Sequence, residues 1–96
     1  MDIIFSSFAL QELLDAEEYY NFELAGLGNR FNEEIKKAVL RIAEYPDAWS
    51  IERDNIRKCL LQKFPYKILY AIEKDCILIL AIAHLHRKPD YWIDQT

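Results

Sequence analysis

The chain has 96 residues, of which 52% are apolar, with two glycines, three prolines and a formal net charge of −4. That much apolar chain can build one hydrophobic core without a metal or a disulfide, and it excludes disorder, collagen-like repeats and low complexity. No apolar run reaches the roughly 18 residues of a membrane span, and the short acidic opening Met1–Phe5 is not a secretory signal, so the expectation is a single cytoplasmic domain over residues 1–96.

Ile3-Ile4-Phe5 is a short apolar run that reads as a strand, and Ser6-Ser7 behind it are good helix N-caps. Leu10, Leu13, Leu14, Ala16, Tyr20 and Leu24 then recur at helical spacing, with Glu12, Asp15, Glu18 and Glu23 on the opposing surface. Gly26 and Gly28 close this helix and permit a tight reversal. A second helix carries Phe31, Ile35, Ala38, Val39 and Ile42 on one face, places Glu33 and Glu34 ahead of Lys37 and Arg41, and stops at Pro46. So short a connection predicts an antiparallel helical hairpin.

Beyond Trp49 the period changes. Ile56–Phe64 and Tyr66–Ile72 mix apolar and basic residues in short runs, as strands do, with Pro65 at a strand start because it cannot donate to a ladder. Glu73-Lys74-Asp75 is a compact turn, and Cys76–Ala83 is nearly continuous apolar sequence, the mark of the best-buried strand. The expected class is α+β in the order β-α-α-β-β-β, a short N-terminal strand and a helical hairpin packed on an antiparallel sheet.

Charge divides the chain. Residues 1–50 hold ten acids and four bases, a net of −6, whereas residues 51–96 hold six acids and eight bases, a net of +2. General nucleic-acid binding, which needs a strongly basic face, is disfavoured, while a basic protein partner could dock on the helices. Cys59 and Cys76 form no CxxC or Cys/His spacing and read as small buried hydrophobes. His84 and His86 lack a companion acid or thiol at ligand spacing, so neither metal nor cofactor is expected.

Two groups of residues could carry chemistry. The final apolar strand delivers His84, His86, Arg87, Lys88 and Tyr91 to one end of the sheet. On a regular strand His84 and His86 share a side, where either could act as acid or base near neutral pH. The plainer reading is a strand end with structural hydrogen bonds and solvated charge, with Trp92 plugging the core. The second group is the basic stretch Arg53, Arg57, Lys58, Lys63 and Lys67. With Arg57 and Lys63 on one strand face beside Arg87, it would offer the cations that phosphodiester cleavage requires. Its plainer reading is ordinary strand charge offset by Glu52, Asp54 and Glu73.

Phe8-Ala9, Glu12-Leu13, Asp15-Ala16, Tyr19-Tyr20, Gly28, Arg30-Phe31 and Glu34-Ile35 together resemble the opening of RelE/ParE-superfamily toxins. So do Pro46 with Trp49, Arg57, Phe64-Pro65-Tyr66-Lys67-Ile68 with Tyr70, Ala81-Ile82-Ala83-His84, and Arg87-Lys88-Pro89 with Tyr91-Trp92. The resemblance implies the toxin of a bacterial type II toxin–antitoxin pair, of the plasmid-stabilisation kind, one RelE/ParE-like domain long. It implies a cognate antitoxin as partner, and it assigns any sequence-specific DNA binding to that antitoxin.

Two mechanisms divide the superfamily. ParE-like members inhibit DNA gyrase by binding it, and RelE-like members cleave mRNA on the ribosome without metal. By resemblance Arg57, Arg87 and Tyr91 are the catalytic candidates, with Lys63, His84 and His86 secondary. Arg87 and Tyr91 stand closer together than in the RelE pattern, with Pro89 between them, and the chain is acidic. The ending is closer to the ParE-like branch, so inhibition of a protein target is expected ahead of nuclease activity. A third alternative is an inactive homologue that retains only antitoxin binding.

Overall fold

The structure, a computed structural model, describes residues 1–95. Its first strand, β1 (Asp2–Phe5), leads into helix α1 (Ser7–Glu23) through Ser6, whose Oγ accepts the Ala9 N–H at 3.0 Å. This side-chain acceptor satisfies a backbone donor that the first helical turn cannot, and it fixes where the helix starts. The buried stripe of α1 is Ala9, Leu13 and Ala16. Leu10 and Leu14 fit the same period but are half exposed, and Leu24 is an exposed residue just past the helix end. α1 is apolar on more than one side, so periodicity alone does not choose between its faces.

Helix α2 (Leu27–Glu44) follows after three residues. Gly26 adopts φ +89°, a left-handed backbone that side chains resist. Gly28 has a different reason to lack a side chain: a Cβ there would lie 2.1 Å from the Glu17 carbonyl oxygen of α1. The close approach lets Gly28 N–H donate to Asn21 Oδ1 at 2.8 Å, which locks the two helices together at their tip. α2 buries Phe31, Ile35, Ala38 and Ile42, as its pattern predicts. Lys36 and Lys37 each lie near the glutamate three residues earlier.

Strands β2 (Ile51–Arg53), β3 (Ile56–Leu60), β4 (Tyr66–Ile72) and β5 (Cys76–His84) complete one sheet in the order β1-β5-β4-β3-β2. The expected element order holds, with three refinements. A three-residue strand, β2, precedes the rest, and β3 ends at Leu60, well short of Phe64. The sheet is mixed, because β1 runs parallel to β5, from Asp2↔Cys76 to Phe5↔Ile79, whereas the other pairings are antiparallel. A parallel pair needs a long crossover. Here everything between β1 and β5 supplies it.

β5 pairs on both sides and is buried along most of its length. The two faces of the sheet are covered differently. On one, α1 and α2 pack over Cys59, Ile68, Tyr70, Ile77, Ile79 and Ile82. On the other, Leu69, Ala81 and Ala83 lie beneath Trp92, which the C-terminal segment lays across them before a short 3-10 turn at Ile93–Gln95. Trp92 is therefore the aromatic plug of one of the two sequence readings.

Candidate functional site

β1 pairs with only the first four residues of β5, so the rest of β5's outer edge needs other partners. Ser6 N–H donates to Ile79 O at 2.9 Å and its Oγ donates to Leu80 O at 3.3 Å. One turn into α1, Glu12 continues the capping: its Oε1 accepts the Ile82 N–H at 2.8 Å. The other carboxylate oxygen, Oε2, accepts the Tyr91 hydroxyl at 2.5 Å. One carboxylate thus joins the first helix, the last strand and the C-terminal segment.

Around this staple the strand end gathers most of the predicted cluster. The Arg87 guanidinium carbon lies 3.8 Å from the centre of the Tyr91 ring, a stacked cation–π contact. Such folding back over Pro89 is possible because the chain turns sharply, with Asp90 at φ +61°. The His84 ring meets Tyr66 and His86 edge-on, each at 5.0 Å, and its Nδ1 accepts the His86 N–H at 3.1 Å. Glu12, Asp15, Tyr19, Tyr66, His84 and Arg87 line an open cavity of about 210 Å³.

The electrostatics of this cavity limit what it can do. Burial raises the Glu12 carboxyl above its ordinary value, and the hydrogen bonds from Tyr91 and Ile82 together with the charge of Arg87 offset only part of that. Burial, then the bond to Glu12, hold the Tyr91 phenol well above its usual value. Burial also pushes Tyr66 up to about 12. The two tyrosines are therefore neutral donors at physiological pH, not bases. One guanidinium faces two carboxylates, Glu12 and Asp15, so the cavity is not a cradle for a phosphate dianion.

The other candidates lie elsewhere. Arg57, on β3, donates through Nη1 to the carbonyl oxygens of Trp49 at 2.6 Å and Asp47 at 3.2 Å. Tyr70, directly opposite Arg57 in the register, donates its hydroxyl to Pro46 O at 2.6 Å. Both side chains fasten the turn that follows α2, and this holds the Arg57 guanidinium against backbone rather than over the open sheet. Lys63 sits in the turn after β3, where strand alternation no longer applies, and lines a separate cleft of about 320 Å³ with Leu27, Arg30, Lys37 and Phe64. The single cationic patch of Arg57, Lys63 and Arg87 expected from spacing is thus not assembled. The remaining bases are also committed: Lys67 binds both Glu52 carboxylate oxygens at 2.9–3.0 Å, Lys58 lies 3.6 Å from the same group, and Arg53 pairs with Asp90 at 3.0 Å.

Glu12 was not among the sequence candidates, where it reads as part of a solvated face. The available signal is its position between Ala9 and Ala16, three and four residues away, in the stripe that packs on the sheet. A further cavity, of about 430 Å³ and nearly all apolar, opens beside β1 and between the helices, lined by Phe5, Leu13, Ile35, Val39 and Leu40, with Asn32 and Lys36.

Among the described residues no helix is long and apolar enough to cross a membrane. Comparison with curated proteins gives no match. The chain is similar in structure to a toxin–antitoxin component described as "Chromosomal ParDE TA system from P. aeruginosa", with a TM-score of 0.79, 16% identity, and coverage of 90% of this chain and 97% of that one. At that identity the likeness carries the fold. Residues 3–89 match the family model described as "ParE toxin of type II toxin-antitoxin system, parDE". With nearly all of its length matched, this chain belongs to the ParE toxin family of type II toxin–antitoxin systems.

Proposed function

We propose that this chain is the toxin of a type II toxin–antitoxin pair, that it arrests growth when free by binding a protein target such as DNA gyrase, and that a cognate antitoxin neutralises it. The observation that carries the mechanism is the dispersal of the cations. Arg57 is spent on backbone carbonyls, Lys63 stands in another cleft, and Arg87 is stacked on Tyr91 opposite two carboxylates. Cleaving a phosphodiester calls for converging cations that stabilise the charge developing on phosphorus, with an acid and a base beside them. A protein-binding inhibitor needs none of these. The purified chain is expected to block supercoiling by gyrase or to trap cleaved DNA at micromolar concentration. New RNA 5′ ends inside translated messages after induction would instead support the RelE-like alternative and bring Arg87, Tyr91 and His84 into play as catalytic groups. Induced expression that leaves growth untouched would favour an inactive homologue.

For the antitoxin, the best-shaped seat is the apolar groove of Phe5, Leu13, Ile35, Val39 and Leu40. It adjoins β1, which is an edge strand with one unpaired side. A segment with apolar side chains at helical or strand spacing and basic flanks would fit both the groove and the net acidity of residues 1–50.

A further inference from the structure

The most exposed large apolar side chain of the described residues is Phe22, 89% accessible in the last turn of α1. It does not sit on a loose loop. Leu24 N–H donates to Tyr20 O at 3.0 Å, Leu27 N–H donates to Leu24 O at 2.9 Å, and Asn21 clasps Gly28 across the hairpin. Below it, Tyr20 is wedged against Phe31, Phe64 and Tyr66, with ring centres 5.0–6.2 Å apart. The tip is thus a rigid convex knob that presents Phe22, with the exposed Tyr19 three residues before it and exposed Leu24 two after. An exposed phenylalanine adds nothing to the core, and a preorganised aromatic side chain loses little freedom on binding.

The charges that α1 itself brings to the knob have one sign, and the nearest base in sequence is Arg30 in the first turn of α2. α1 carries Glu12, Asp15, Glu17, Glu18 and Glu23 and no lysine or arginine, and Glu18 stands one turn below Phe22 on the helix surface. The shape matters as well. An extended or helical antitoxin segment fills a groove, as at Phe5 and Val39, whereas a convex knob needs a partner with a concavity.

We propose that the tip of the helical hairpin, with Phe22 as its knob, is the element through which the free chain engages its target protein, and that the target offers an apolar socket rimmed by lysine or arginine. This rests on the reading of the chain as a growth-arresting toxin, and the experiment separates the two. The wild type, Phe22→Ser, Phe22→Trp, Tyr45→Ser and the double variant Glu18→Lys/Glu23→Lys are induced to matched levels in a bacterial host, growth is followed, and thermal unfolding of each purified protein is measured. The expected result is arrest by the wild type, by Phe22→Trp and by Tyr45→Ser, whose side chain is exposed at the far end of α2. Phe22→Ser should lose arrest, needing at least tenfold more protein, with an unchanged unfolding midpoint, and the charge-reversed variant should be weakened severalfold. Arrest by Phe22→Ser at wild-type potency overturns the assignment of the tip, and so does equal loss in Phe22→Ser and Tyr45→Ser. Arrest undiminished by charge reversal overturns the basic rim. A wild type that does not arrest growth overturns the toxin reading itself, and the tip assignment with it.

Discussion

The two faces of the sheet are closed by different means. Over one, two long helices bury Phe31, Ile35, Ala38 and Ile42 against six fully or nearly fully buried strand residues, and an aromatic cluster of Tyr20, Phe31, Phe64 and Tyr66 seals the end. Over the other, a single stretch of chain lays down Trp92 on Leu69, Ala81 and Ala83, and polar contacts hold it: Tyr91 to Glu12 and Asp90 to Arg53. The helical face is secured by apolar area, which is large and does not itself titrate. The tail face adds hydrogen bonds and an ion pair whose partners lie far away in sequence. Its strength should therefore respond to single polar substitutions in a way that the helical face does not.

Breaking the helical face should cost most. Phe31→Ala removes a fully buried ring, and a loss of about 3–5 kcal/mol is expected in urea unfolding. Trp92→Ala removes a larger side chain from a thinner layer, so its loss should fall at or below the low end of that about 3–5 kcal/mol range. Equal losses for the two would abolish the distinction between the faces. Tyr91→Phe keeps the ring under Arg87 and deletes only the hydroxyl donated to Glu12. Because the acceptor is a carboxylate that stays partly buried, about 1–2 kcal/mol should be lost, with faster amide exchange in residues 85–95 than in α2.

The smallest effect is the most diagnostic. The folded-state pKa of Glu12 lies above its unfolded value because of burial, so the folded protein holds the proton more tightly. The stability that Glu12 contributes is therefore full below its ordinary value of 4.5 and is lost as pH rises through the folded value. Glu12→Gln cannot ionise. The stability of the variant relative to wild type should rise between pH 4.5 and neutrality, and a flat difference curve would mean that the carboxylate is not desolvated as described.

The same contrast explains what could be read in the sequence. α2 was legible because its apolar and charged residues separate cleanly onto opposite faces. α1 was legible as a helix but not in orientation, since Leu10 and Leu14 repeat with the same period as Ala9, Leu13 and Ala16. β2 was missed because three residues carry too little pattern, and the parallel seat of β1 because its partner is more than 70 residues away. The gathering of His84, Arg87 and Tyr91 was readable from closeness in sequence. Glu12 was not, because its partners, Ile82 and Tyr91, are 70 and 79 residues downstream. Local spacing also brought Arg57 and Lys63 together on paper, and the turn after Leu60 separates them.

The parallel pairing of β1 with β5 also sets an order of events during folding. The helical hairpin consists of local contacts and can form as soon as its residues are available, whereas β1 has no strand partner until Cys76–Ile79 exist. Until then Ile3 and Phe5 have no sheet to lie in, and the far face cannot be roofed until Trp92 follows. A nascent chain that ended before β5 could hold a finished hairpin but only an open sheet, with the apolar residues of that sheet still uncovered. Any protein that captures the chain early would meet that half-built form before it meets the completed one.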